Sequence, residues 1–166
     1  MSLARTLSTA ALLALLFGSF ACTPQMRKSR YSAQADRYFR EGKYDEALKA
    51  ISAAADAEDK TDKHPVTPGP LAPAREQYGA MLLDRGMAKE ALAAYEAVLK
   101  KEPNRLAAYI GAAKAAAKAG EPARTKQYVA KVMTLTKDAD TKRPEVMQLR
   151  ALLSGKSKLA SATTIR

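Results

Sequence analysis

At 166 residues the chain has room for one domain of ordinary size. Hydrophobic residues make up 47% of it, but much of that is alanine; β-branched runs are nearly absent, which excludes a sheet-rich architecture and predicts an all-α fold. One cysteine excludes an internal disulfide and a cysteine-based metal cage. The formal charge of +11 keeps an alanine-rich protein in solution and also attracts anions: phospholipid headgroups, nucleic acid or an acidic protein.

Residues 1–21 read as a signal peptide. Arg5 supplies a short basic region, Leu7 to Phe17 form an apolar core, and Gly18-Ser19-Phe20-Ala21 makes a small-residue cleavage region. The apolar stretch falls short of the ~20 residues that span a bilayer. Cys22 stands where this stretch stops, and the arrangement resembles the lipobox of bacterial lipoproteins, although Ser19 and Phe20 depart from its usual residues. The resemblance implies lipid on Cys22, an exported protein facing the periplasm, and, with Thr23 rather than aspartate next, the outer membrane. Ordinary cleavage after Ala21 would leave the same N-terminus without lipid. An uncleaved segment would leave the basic flank of Arg27, Lys28 and Arg30 inside the cell. In the lipoprotein, residues 22–29 are a basic tether whose charges lie against anionic headgroups.

From residue 30 the 3.6-residue period takes over. Tyr31, Ala35 and Tyr38 mark one face of a first helix, Gly42 turns the chain, and Tyr44, Ala47, Leu48, Ile51 and Ala54 mark a second. Asp45 and Glu46 complement the dipole at that second helix's start. Residues 60–73 then carry Pro65, Pro68, Pro70 and Pro73, which forbid helix and favour an extended connector. Such an insertion serves either as a tolerated loop or as a docking strap.

Residues 74–103 repeat the helix pair. Gly79 and Ala91 let two helix backbones approach, and Leu82, Leu92, Tyr95 and Leu99 fill the space around them. Gly86 marks the turn and Pro103 the end. Residues 104–137 follow, with Asn104 as expected N-cap, then Tyr109, Gly111, Ala112, Ala113 and Ala116, a turn at Gly120, and Pro122 at the next helix start. Gly120 follows Gly86 by 34 residues; Gly42 precedes Gly86 by 44, one such period plus ten inserted residues.

This pattern of small residue, bulky residue, turn glycine, Ala-x-x-x-aromatic and proline resembles the tetratricopeptide repeat. Lys43-Tyr44-Asp45-Glu46-Ala47-Leu48 matches its most regular segment. The resemblance implies a right-handed superhelical array of three helix-turn-helix repeats. Val146, Leu149, Leu152 and Leu153 on a helix over 144–153 would cap it, and the polar residues 154–166 read as disordered.

The family implies a non-catalytic scaffold whose first helices line a groove for a peptide or protein. Its contact positions fall here on Ser32, Asp36, Phe39 and Arg40, on Glu76, Ala80, Leu83 and Asp84, and on Ala107, Ile110, Lys114, Ala117 and Lys118. Ser32 and Asp36 replace the lysine and asparagine of the family's carboxylate clamp, so a chaperone-type clamp is not expected. Lys114 and Lys118, one turn apart, suit an acidic peptide or simply solvate the helix.

Enzymatic signatures do not emerge. His64 lies among prolines, and there is no nucleophile elbow, phosphate loop or zinc-binding helix. No cofactor or metal is expected. Two other readings compete: a basic helical binder of nucleic acid or another anionic polymer, disfavoured for an exported chain with few aromatics, and a structural subunit that oligomerises through its alanine-rich faces.

Overall fold

In the computed structural model the described residues are 24–61, 71–139 and 143–153. Among them are seven α-helices and no strand: α1 (Pro24–Arg40), α2 (Tyr44–Asp59), α3 (Ala74–Asp84), α4 (Ala88–Lys101), α5 (Leu106–Lys118), α6 (Pro122–Leu135) and α7 (Pro144–Leu153). The chain divides into two units, Met1–Ala74 and Arg75–Arg166. The segment read as a signal peptide, Cys22, most of the proline-rich insertion with His64, and the residues after 153 lie outside the described residues.

The joints α1–α2, α3–α4 and α5–α6 use one backbone device. Gly42, Gly86 and Gly120 have φ of +72°, +78° and +76°, the left-handed region that costs glycine nothing. Around each, the glycine N–H donates three residues back, to Phe39, Leu83 and Ala117. The next N–H donates five residues back, to the carbonyls of Tyr38, Leu82 and Ala116, at 2.9 Å in each case. These paired bonds form a Schellman closure, which satisfies the orphan carbonyls of the outgoing helix.

The residue after the glycine (Lys43, Met87 or Glu121) is also the N-cap of the next helix, with its carbonyl accepting from Ala47, Ala91 or Thr125. None of these caps uses a side chain. The turn is therefore specified by backbone conformation, and a single glycine fixes it.

In unit 1, α1 packs on α2. Ala35 meets a face of α2 built from Ala47, Ala50, Ile51, Ala54 and Ala55, all buried. The segment read as a tether is helical from Pro24 onward. Lys28 within it donates to Glu58 Oε1 at 2.6 Å, and Glu58 Oε2 accepts the Ala74 N–H at 2.5 Å. That pairing gives the early start of α1 a reason: Lys28 needs helical backbone to reach the end of α2.

Unit 2 is organised on α5, which contacts α4, α6 and α7. Ala108, Ile110, Gly111, Ala112, Ala113, Ala115 and Ala116 bury nearly its whole circumference. Tyr95 of α4 lies between two glycines. A Cβ at Gly79 of α3 would stand 3.1 Å from its ring, and one at Gly111 of α5 would overlap the ring outright. Leu82, Ala91 and Leu92 of the same helix pair are fully buried. Val146 and Leu149 bury α7 in this unit. The N-cap of α5 is Arg105, not Asn104, which lies in the preceding turn; there Arg105 N–H donates to Glu102 at 3.1 Å and the Tyr109 hydroxyl to the Pro103 carbonyl at 2.9 Å.

Two kinds of glycine follow from this geometry. Gly111→Ala should cost about 1–3 kcal/mol in urea unfolding by overpacking, and the cost should shrink when Tyr95 is Leu. An equal cost in both backgrounds would show that the ring is not the constraint. Gly86→Ala meets nothing within 4 Å and should lose about 1 kcal/mol through φ alone, with Gly86→Asn recovering part of it.

Candidate partner-binding site

The first helix of each pair carries the residues that the sequence nominates for partner contact. On α1, Asp36, Phe39 and Arg40 are exposed and Ser32 is half-buried. Phe39 sits edge-on to Tyr44 across the Gly42 turn, ring centroids 5.4 Å apart, and both rings remain open to solvent. The Arg40 Nε donates to the Asp36 carbonyl at 3.2 Å, which lays the guanidinium back along the helix.

On α3, Ala80 and Asp84 are exposed, but Leu83 is buried at 8% exposure and belongs to the core of unit 2. Glu76 is engaged within the chain. Arg105 grips it with two hydrogen bonds, Nε to Oε2 at 2.5 Å and Nη2 to Oε1 at 3.3 Å, while Nη1 reaches Glu102 at 3.2 Å. The fork geometry suits a carboxylate, and the flanking acids hold the Arg105 guanidinium above its ordinary pKa despite partial burial.

On α5, Ile110 is likewise buried at 8% exposure. Ala107 and Lys118 are exposed, and Lys114 and Ala117 are half-buried. Lys114 and Lys118 form no ion pair among the described residues. Leu83 and Ile110 therefore contribute packing within unit 2, and Glu76 a structural ion pair, whereas the accessible polar groups there are Asp84, Lys114 and Lys118.

Sequence reasoning did not find a second polar cluster, on α4 and α6. Glu96 accepts from Arg124 and from the Tyr128 hydroxyl, and Arg124 Nη1 also donates to Glu121 at 3.1 Å. The Tyr109 ring lies 6.3 Å from that of Tyr128. Only the local Glu121–Arg124 spacing was visible in sequence; the Glu96 partners sit 28 and 32 residues away.

Two tyrosines are perturbed. Burial, then the carboxylates of Glu76 and Asp84, push the Tyr95 hydroxyl up to about 12. Burial, then the hydrogen bond to Glu96, push Tyr128 up to about 12. Each shift is accounted for by the packing of unit 2. Among the described residues, no group of His, Cys, Asp and Glu is placed to hold a metal ion, and no helix is long and apolar enough to cross a membrane. In comparison with known proteins, no family model and no curated protein matches this chain.

Because both tyrosines hold their protons more tightly when folded, their contribution to stability is complete below pH ~10, the unfolded value, and is lost as pH rises through about 12. A phenolate absorbance titration should show a late-ionising fraction, reduced by Tyr95→Phe and by Tyr128→Phe. Its absence from the wild-type curve would show that neither ring is desolvated.

Proposed function

We propose that this protein is a non-catalytic tetratricopeptide-type scaffold that binds a peptide or protein partner, exported and held to a bacterial membrane by lipid on Cys22. The observation that carries the repeat assignment is the turn: the same Schellman closure and the same dual-purpose cap recur at Gly42, Gly86 and Gly120. The spacing between the last two is one repeat length, 34 residues. A local device used at all three joints, the last two of them one repeat length apart, supports one supersecondary unit used three times, with α7 as the closing helix.

The binding assignment is supported by the chemistry left accessible. Lys114 and Lys118 lie one turn apart on the first helix of the third helix pair and suit an acidic peptide. On the first unit, Phe39 offers an exposed ring and Asp36 and Arg40 offer charges. Lipid attachment rests on the apolar segment ending at Cys22, the only cysteine in the chain. The assembly it serves belongs to the envelope, of the outer-membrane biogenesis, pilus or secretion type.

Intact mass of the protein taken from its own membranes tests the anchor. A chain beginning at Cys22 with diacylglyceryl and acyl mass is expected; a chain beginning at Met1 would reject it. For the binding face, acidic peptides should be retained by the wild type and released by Lys114→Glu with Lys118→Glu, at an unchanged unfolding midpoint. Equal retention by the double variant would remove these lysines from the site.

A further inference from the structure

Tyr95 is only 5% exposed, yet its hydroxyl has no hydrogen-bond partner among the described residues. The oxygen is not sealed in the core either, because no buried side-chain oxygen among the described residues lacks a partner. It therefore meets solvent at one point, and the two glycines locate that point. Cζ, the carbon that carries the hydroxyl, is among the ring atoms closest to the Cβ positions of both Gly79 and Gly111, at 3.1 Å from the first. The ring thus reaches from α4 until its hydroxyl end is level with the backbones of α3 and α5. The oxygen opens between those two helices, on the side away from α4.

The accessible lysines share that side. Lys114 and Lys118 follow Gly111 by three and seven residues, so they stand on the same stripe of α5. Packing has no use for the hydroxyl: a phenylalanine would fill the slot equally well, and a mostly desolvated polar group without a partner opposes folding.

We propose that the Tyr95 hydroxyl donates a hydrogen bond to an acceptor oxygen of the acidic peptide that Lys114 and Lys118 receive, and so forms the floor of that site. The proposal rests on the peptide-binding reading above and adds a directional contact to it. A lysine is a point charge on a flexible stem and fixes a ligand loosely. A hydroxyl held between two helix backbones has one position and can set the register of a bound chain. Burial and the carboxylates of Glu76 and Asp84 keep the proton on this oxygen well above neutral pH, which suits it to donate. Of those two acids, Glu76 is balanced by Arg105 within the chain.

The test uses the full chain and a pool of short synthetic acidic peptides, with the affinity then measured for the best-retained member. Tyr95→Phe keeps the ring and removes only the hydroxyl. It should weaken binding about fivefold, with a urea midpoint equal to or above that of the wild type. The factor should persist when salt weakens the lysine contribution, since a neutral donor is little screened. Unchanged affinity in Tyr95→Phe, with release by Lys114→Glu and Lys118→Glu, overturns the hydroxyl contact and leaves the lysine site standing. A lower urea midpoint in Tyr95→Phe also overturns it, because the hydroxyl would then serve the fold. No retention by the wild type would reject the peptide-binding reading itself, and this contact with it.

Discussion

The packing of unit 2 depends on one ring held between two helices that have no side chain at the point of contact. Tyr95 lies against Gly79 on α3 and Gly111 on α5, so its thickness sets both spacings at once. A larger residue at either glycine would have to displace the ring or a backbone, and protein interiors yield little to either demand. Burial of the ring also explains why its hydroxyl resists ionisation. The alanines of α5 extend the same logic along the helix: small side chains allow close approach on several sides, at the cost of little apolar area per residue.

What such thin helices lack in apolar bulk is supplemented by charge. Arg105 joins Glu76 and Glu102, and Arg124 joins Glu96 and Glu121, each pairing one local and one distant acid. The Arg105 group is largely shielded from water, and removing one partner would strand the other in a partly desolvated place. The Arg124 group is more exposed and contributes less, because water screens it. In unit 1, Lys28 and Glu58 make the same kind of link between the two helices of a hairpin. Structural pairing thus uses a share of the chain's charge, which separates it from the cations left for partners.

That separation shapes the functional reading. The net charge of +11 named several anionic partners without choosing among them. With Lys28, Arg105 and Arg124 assigned to internal pairs, the Lys114–Lys118 step on α5 stands out as a pair of cations with no ion pair among the described residues.

The sequence by itself determined the helices and their turns. Apolar residues at helical period, and glycines at Gly42, Gly86 and Gly120, act through local backbone geometry that needs no knowledge of the rest of the fold. It also marked Gly79, with Ala91, as a place of close approach. Only the tertiary structure decided that a single ring, Tyr95, lies against Gly79 and Gly111, that Leu83 and Ile110 turn inward, and that Glu76 is taken by Arg105. It moved the start of α1 back to Pro24, since the partner that rewards Lys28 for being helical lies 30 residues away. Those outcomes depend on how one helix is rotated and spaced against another. A periodic pattern fixes which face is apolar, but the contacts that each residue on that face makes are set by the packed neighbour.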